Sequence, residues 1–266
     1  MSLYINTNLA AMNAEGNLVN TNEALSTSMQ RLSSGLRINS AADDAAGFTI
    51  SENLMGQVKG VGQAQQNTQD AVSLVQTADG SLSEVEQMLQ RIRELAVQYQ
   101  NGTLNTTDQT AIQTEVNQLA SEIERIGNTA QFNGIHLLNS TQTITFQVGA
   151  NDGEVIAVST ISLGSSIGTF SLTSSTVLAS IDAAINAVAG QDDTFGAVQN
   201  RLQYTMNNLS TYEENLTAAN SAIVDVNMAS EMTKFANLQI LSQAGTAILA
   251  QANHLPQSIL TLIQAG

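Results

Sequence analysis

The amino-acid sequence predicts a mainly α-helical protein: a long helical coiled-coil rod with paired terminal helices and a small β-hairpin region. Three observations support this fold class. Apolar residues recur at steps of three and four near both ends of the chain. A helical pattern continues almost unbroken from residue 44 to 100, and the period changes to two between residues 141 and 175.

The first predicted helix carries an apolar stripe over residues 4 to 32. A Ser/Gly-rich break follows at residues 33 to 40. Ser40 and Asp43 then have the spacing of a capping box, so the second helix is expected to start there. The members of the first stripe are Tyr4, Ile5, Ala11, Met12, Leu18, Val19, Leu25, Met29 and Leu32.

The second helix, from about residue 44 to 100, would be about 80 Å long at 1.5 Å per residue. Helices of this length are more typical of coiled coils and rods than of enzymes. Asn101-Gly102-Thr103 predicts a turn, and residues 105 to 107 offer caps for a third helix that folds back antiparallel. Gly127-Asn128 is the expected end of that helix.

A β-hairpin is predicted where Ile144, Phe146 and Val148 alternate with polar residues. Asn151-Asp152-Gly153 supplies the turn, and residues 155 to 158 supply the second strand. The helical pattern returns at Val177 and continues to Val226. We expect residues 190 to 193, a Gly-Gln-Asp-Asp stretch, to interrupt it.

The last stretch carries a second terminal stripe, with an average step of 3.5 residues that keeps one seam facing a partner helix. Gly245 and Ala252 would let that partner approach closely, and Pro256 predicts a kink or a loosened final turn. One interpretation is a core helix of a monomeric bundle. The similar stripe at the other terminus favours pairing of the two ends, with surface left for neighbouring copies. The predicted assembly interface is Leu18, Leu25, Leu32, Leu238, Leu241, Gly245, Ile248, Ala252, Leu255, Ile259 and Leu262.

Composition limits the possible functions. The chain has no cysteine, so disulfides and thiolate chemistry are excluded. A net charge of −15, from 23 acidic and 8 basic residues, is incompatible with a nucleic-acid-binding surface. No apolar run reaches transmembrane length, and we expect no membrane association. Residues 1 to 20 lack the features of a secretory signal, so export would need a route without a cleaved one.

No catalytic, cofactor-binding or metal site is predicted, and we expect a protein that is not an enzyme. His136 and His254 have no neighbouring residues at metal-ligand spacing, so a packing or surface role is expected. Asp43-Asp44 could be a metal pair, but acidic side chains also suit the first turn of a helix, which we favour. The sequence has no nucleophile elbow and no phosphate-binding glycine loop.

Several long motifs closely resemble bacterial flagellins, and they follow one another in the order found in that family. The amino-terminal ones include Ile5-Asn6-Thr7-Asn8, the stretches at 31–41 and 43–47, the Gln-Arg-Ile-Arg-Glu-Leu-Ala-Val-Gln stretch at 90–98, and Gln131-Phe132-Asn133-Gly134. Residues 147–153 resemble the hairpin of the family. Residues 239–241, 243–246 and 249–253 resemble its carboxyl-terminal part.

The resemblance implies a structural subunit that polymerises into the extracellular flagellar filament. Residues 1–40 and 227–266 would form an inner coiled-coil layer, and residues 41–226 a helical rod domain with the hairpin at about 141–175. Export would use the flagellar secretion channel and a chaperone, and the filament cap and hook-junction proteins would be partners. Many flagellins insert large outer domains where this chain has only residues 141 to 176, so it resembles a minimal form.

Flagellins detected by the vertebrate Toll-like receptor 5 use an Arg and a Leu of the Arg-Glu-Leu-Ala-Val-Gln region and a Glu of the next helix. The matching residues are Arg91, Leu95 and Glu115. The alternatives left open are a hook–filament junction protein and a secreted ligand or adhesin that acts as a monomer. A flagellin with an inserted zinc peptidase is a further class, but this chain lacks the inserted domain and the zinc motif.

Overall fold

The computed structural model describes residues 7–166 and 170–264, without the side chains of 165–166 and 255–264. The mainly α fold is confirmed. The helices are α1 (Leu9–Ser34), α2 (Ala45–Tyr99), α3 (Thr106–Thr129), α4 (Leu163–Ser166), α5 (Val177–Val224) and α6 (Met228–Gln264). The strands are β1 (Gln131–Phe132), β2 (Ile135–His136), β3 (Thr143–Gln147) and β4 (Val155–Ser159). Tyr4 and Ile5 of the first predicted stripe lie outside the described residues.

The chain divides into two compact units. The terminal unit comprises Met1–Gly56 and Leu216–Gly266, and it contains the pair formed by α1 and α6. The central unit is Gln57–Asn215. The predicted pairing of the terminal helices is therefore confirmed, and α2 and α5 contribute residues to both units.

The central unit has an extensive hydrophobic core organised by α2. Residues of α2 at alternating steps of three and four are completely buried: Val75, Ala78, Leu82, Val85, Leu89, Ile92 and Ala96. They pack with apolar side chains of α3, α5 and the strands, among them Val116, Ile123, Ile156, Ile181 and Phe195. The long predicted helix is confirmed to within one residue at each end.

The caps of α2 and α3 show how local side chains set the helix starts. Asn105 caps α3, because its Oδ1 accepts from the N–H of Asp108 at 2.9 Å. The Ser40–Asp43 pair, predicted as the capping box of α2, lies in the turn before that helix, where Oδ2 of Asp43 accepts from the N–H of Ser40 at 3.0 Å. The Oδ1 of Asp44 accepts from the N–H groups of Ala46 and Gly47, both at 3.1 Å, so Asp44 is the cap.

The predicted hairpin is confirmed as β3 paired antiparallel with β4, with Ile144 opposite Val158 and Phe146 opposite Ile156. A second antiparallel pair, β1 with β2, was not predicted. Asn133 and Gly134 join those strands with φ of 49° and 80°. Both lie in the left-handed region that an Asn-Gly hairpin turn requires.

The predicted interruption of the fifth helix is wrong, because α5 is continuous from Val177 to Val224. Val188 and Phe195 are both fully buried one heptad apart, so the packed face continues through residues 190 to 193 without a shift. Gln191 also donates from Nε2 to the carbonyl of Ser159 at 2.8 Å. Packing of this face outweighs the low helix propensity of Gly190.

Candidate assembly interface

Helices α1 and α6 pack together through a seam with heptad spacing. In each helix, residues at alternating steps of three and four are buried or half-buried, which is the pattern of a coiled coil. In α1 they are Ala11, Ala14, Leu18, Thr21, Leu25, Ser28 and Leu32. In α6 they are Glu231, Phe235, Leu238, Ser242, Gly245, Leu249 and Ala252. Many of these side chains are small or polar.

Three contacts fix the antiparallel register of the helix pair. Asn8 donates from Nδ2 to the carbonyl of Ala252 at 2.8 Å, and Ser242 donates from Oγ to Oδ1 of Asn22 at 2.9 Å. Between them, Cδ1 of Leu18 lies 3.1 Å from the point where a Cβ on Gly245 would stand. The close approach predicted at Gly245 is therefore present within one chain.

Two short segments, residues 35–37 after α1 and residues 224–226 before α6, pair with each other, and we name this pair the connector. The N–H of Arg37 donates to the carbonyl of Val224 at 2.6 Å, and the N–H of Val226 donates to the carbonyl of Gly35 at 2.9 Å. These bonds pair residues 35–37 with residues 224–226 in antiparallel fashion. Gly35, with φ of 75°, closes α1 in the left-handed conformation that glycine adopts without strain.

The predicted assembly residues divide between two faces. Leu18, Leu25, Leu32, Leu238, Gly245 and Ala252 all lie in the seam between α1 and α6. Leu241 and Ile248 do not, and they are 56% and 59% exposed. Ser242 and Leu249 occupy the seam in their place, so the single-stripe interpretation of α6 is wrong. The side chains of Leu255, Ile259 and Leu262 lie outside the described residues. The backbone of α6 continues past Pro256, where a kink stays a prediction.

Several large apolar side chains of the helix pair are exposed outside the seam, and we name this set the outer apolar face: Leu9, Met12, Val19, Met29, Met228, Met232, Ile240, Leu241 and Ile248. Leu18, Leu241, Gly245 and Ile248 line a groove of about 200 Å³ beside the seam. Exposed large apolar side chains beside an apolar groove are typical of a site of interaction with another protein. Ile240 is adjacent to Leu241 of the predicted stripe, whereas Met228 and Met232 precede that stripe, and none of the three belongs to the predicted interface.

The seam also buries polar atoms near the connector. Oγ of Ser28 and Oε1 of Glu231 have no hydrogen-bond partner among the described residues, and Glu231 is only 8% exposed. Nη2 of Arg31 lies 3.9 Å from Oδ1 of Asp43. The N–H groups of Asn39 and Ser40, with the Arg31 guanidinium, hold the pKa of Asp43 below its usual range. Buried polar atoms that lack hydrogen bonds destabilise a helix pair. The hydrogen-bonding capacity of the seam is therefore least satisfied where α1 ends and α6 begins.

The residues matched to receptor contacts lie in the central unit, and the structure brings only two of them together at the surface. Arg91 binds Glu115 from Nη2 at 3.0 Å and Glu94 from Nη1 at 3.1 Å. The hydrogen bond to Glu115, then that to Glu94, raises the pKa of Arg91. Leu95 is only 2% exposed and belongs to the hydrophobic core, so its side chain is not available to a partner.

Groups that could support chemistry are scarce. Within residues 7–166 and 170–264, no cluster of three or more His, Cys, Asp or Glu residues could hold a metal ion. The carboxylates of Asp43 and Asp44 accept hydrogen bonds from nearby backbone N–H groups. That arrangement agrees with a structural role at the start of α2. None of the described helices combines the length and apolarity needed to cross a membrane.

Comparison with known proteins gives consistent matches over almost the whole chain. The family model of the bacterial flagellin N-terminal helical region matches residues 5–143, and that of the C-terminal helical region matches residues 178–263. The flagellin of Halalkalibacterium halodurans is 46% identical over 98% of this chain and 100% of its own. The flagellin of Bacillus subtilis is 42% identical over the same shares. The crystal structure of Bacillus cereus flagellin superimposes with a TM-score of 0.51 and 34% identity, covering 58% of this chain and 94% of that one.

Proposed function

The chain belongs to the bacterial flagellin family, and we propose that its outer apolar face is buried between copies when subunits join the filament. Its function is that of a structural subunit of the extracellular flagellar filament. The observation that carries the proposal is the exposure of Leu241 and Ile248 on a helix whose seam is already occupied by α1. These side chains are more than half exposed to solvent in one chain, and contact with other copies would bury them.

The driving force for addition would be burial of apolar surface, worth about 25 cal/mol per Å². Covering a side chain such as Ile248 would contribute about 1–2 kcal/mol. Several residues of the outer apolar face act together, so their sum offsets the translational and rotational entropy lost when a subunit is fixed between copies. The polar atoms of Ser28 and Glu231 would find partners in the same step.

The two ends would form the inner layer of the filament, residues 1–40 with 227–266, and residues 41–226 would form the surrounding layer. The separation of a helix pair with exposed apolar side chains from a unit with a complete core supports this division. Only residues 141 to 176 stand where many flagellins carry outer domains. The surrounding layer would therefore be the outer surface of the filament.

Family membership also supports the remaining partners that we propose. The subunit would pass through the flagellar export channel with an export chaperone, and it would meet the filament cap and the hook-junction proteins. Its role would be structural and not enzymatic. A hook–filament junction protein would form only a short layer, which distinguishes that alternative from a protein that grows long filaments.

Seeded growth tests the proposal. Purified subunits are mixed with short filament fragments and followed by electron microscopy and sedimentation. We expect Ile248→Asp to abolish elongation because a carboxylate would be buried between copies, whereas the matched control Ile248→Leu should elongate normally. Circular dichroism should show both variants to be as helical as the original subunit. Normal filaments from Ile248→Asp would refute the proposed interface.

A second role, as a ligand of Toll-like receptor 5, is favoured by the exposed Arg91–Glu115 ion pair alone. Arg91→Ala and Glu115→Ala should reduce the signal in a receptor reporter assay, with Arg125→Ala as a control on an ion pair of α3 outside this site. Leu95→Ala is unsuitable because it would create a cavity in the core. A reporter that stays silent with the unmodified subunit would exclude this role.

A further inference from the structure

The methionines of the terminal helices are unusually accessible. The sequence contains 8 methionines. Met12, Met29, Met228 and Met232 are 60%, 54%, 48% and 54% exposed. All four belong to the outer apolar face of α1 and α6. Methionines in the helices of the central unit, Met88 and Met206, are half-buried.

Three of the four lie at one end of the helix pair. Met29 is in the last two turns of α1, whereas Met228 and Met232 are in the first two turns of α6. The connector joins these two helix ends. This is also the end at which Ser28 and Glu231 bury polar atoms that have no hydrogen-bond partner in the described part of the chain. A chemical change at these thioethers would therefore alter the least satisfied part of the seam and the surface beside it.

We propose that Met12, Met29, Met228 and Met232 form a peroxide-oxidisable set that is open in the free subunit, covered in the filament, and incompatible with assembly once oxidised. The sulfur lone pair attacks one oxygen of hydrogen peroxide and the O–O bond breaks. The thioether becomes a sulfoxide, and the other oxygen leaves as water after proton transfer. Sulfur loses two electrons and the peroxide gains them, so the step needs no further reactant.

The consequence for assembly follows from polarity. A thioether is a flexible apolar group that packs into irregular gaps, whereas a sulfoxide has a strong acceptor oxygen. Burying four such oxygens between apolar surfaces without donors is unfavourable. Oxidised subunits should therefore fail to add, and subunits already in a filament should be protected. This inference rests on the proposed burial of the outer apolar face.

The experiment compares free subunits with filaments under the same dose of hydrogen peroxide. Oxidation at each methionine is followed by peptide mass spectrometry, and elongation of untreated seeds is measured afterwards. We expect the four sites to be oxidised in the free subunit and spared in filaments. Oxidised subunits should elongate seeds at least about tenfold more slowly. Treatment with both epimer-specific methionine sulfoxide reductases and a dithiol should restore elongation.

Two complementary variants assign the effect to its residues. Replacing Met12, Met29, Met228 and Met232 by Leu should preserve elongation after peroxide treatment. Replacing Met55, Met88 and Met206 by Leu should leave the inhibition unchanged. The inference is overturned if oxidised subunits elongate seeds normally, or if the four methionines oxidise as fast in filaments as in free subunits. It is also overturned if the variant that lacks Met55, Met88 and Met206 is the one that still elongates after peroxide treatment. Failure of untreated subunits to elongate would instead overturn the proposed interface, and this inference with it.

Discussion

The two units of the chain satisfy their apolar residues in different ways. In the central unit, the heptad positions of α2 are completely buried against α3, α5 and the strands. In the terminal unit, the seam between α1 and α6 contains many small and polar residues, and large apolar ones outside it, such as Ile240 and Leu241, remain over half exposed. The first pattern is that of a unit that folds by itself. The second is that of a unit that other molecules complete.

The difference separates stability from assembly. Changes in the central core should lower the stability of the subunit, whereas changes on the outer apolar face should lower the affinity of one copy for another. A residue that strongly affected both would break this division.

The largest effect on stability is expected at the centre of the core. Leu89→Ala should reduce the free energy of unfolding of the monomer by about 2–5 kcal/mol, since it removes a fully buried side chain and leaves a cavity. Leu241→Ala should change it by about 0.5 kcal/mol or less but slow seeded elongation. Urea denaturation and seeded growth measure the two quantities. Equal losses of stability in both variants would contradict the comparison.

A smaller effect is expected in the seam, at Gly245. Gly245→Leu should destabilise the helix pair by about 1–3 kcal/mol, because the new side chain would occupy the place of Leu18. Gly16→Leu in α1 is the matched control, since a Cβ there would meet nothing within 4 Å. Hydrogen exchange of the α1 and α6 amides is the measurement. Unchanged protection in Gly245→Leu would show that the seam is looser than its contacts indicate.

Acidic repulsion should weaken the central unit as the pH rises. A hydrogen bond to Asp79, desolvation, and the charges of Asp79, Glu86 and Asp193 raise the pKa of Asp192 from 3.8 to about 6. The folded state therefore binds this proton more tightly than the unfolded state does. Its stabilisation is present below pH 3.8 and is lost as the pH rises to about 6.

Asp192→Asn should accordingly raise the free energy of unfolding by about 1 kcal/mol at pH 8 and change it little at pH 4. Asp152→Asn, in the exposed turn of the hairpin, alters the net charge equally and is the matched control. Urea denaturation at the two pH values tests this. An increase in the free energy of unfolding at pH 4 as large as that at pH 8 would show that the raised pKa of Asp192 is not its cause.

The smallest effect concerns the long-range repulsion between subunits of net charge −15. Raising the salt concentration from low to moderate should accelerate seeded elongation by about twofold through screening. The stability of the monomer should change less. An elongation rate that is unchanged or lower in moderate salt would show that charge does not limit the approach of subunits.

Elements whose residues are large and strictly periodic could be predicted from the sequence. The ends of α2 were predicted within one residue because its buried heptad positions are apolar without a break from Val75 to Ala96. The hairpin of β3 and β4 was equally clear, since a Gly-containing turn separates two alternating runs. The pairing of the termini followed from the presence of a stripe at each end.

The seam of α6 could be predicted only in part, because polar members such as Glu231 and Ser242 do not stand out by hydropathy. Glu231 is buried and Ser242 half-buried, whereas Leu241 and Ile248, next to the seam positions 242 and 249, are exposed. A pattern of apolar residues therefore combined seam residues with residues turned towards solvent. The continuity of α5 was missed for a related reason: tertiary packing around Phe195 outweighs the local preference of the Gly-Gln-Asp-Asp stretch.

The connector has a mechanical consequence. It pairs the chain just after α1 with the chain just before α6, through backbone bonds between residues 35–37 and 224–226. The other ends of both helices lie away from it, so tension applied at those ends would load the seam one turn at a time. The two helices would separate from those ends towards the connector, whose backbone bonds would be loaded last.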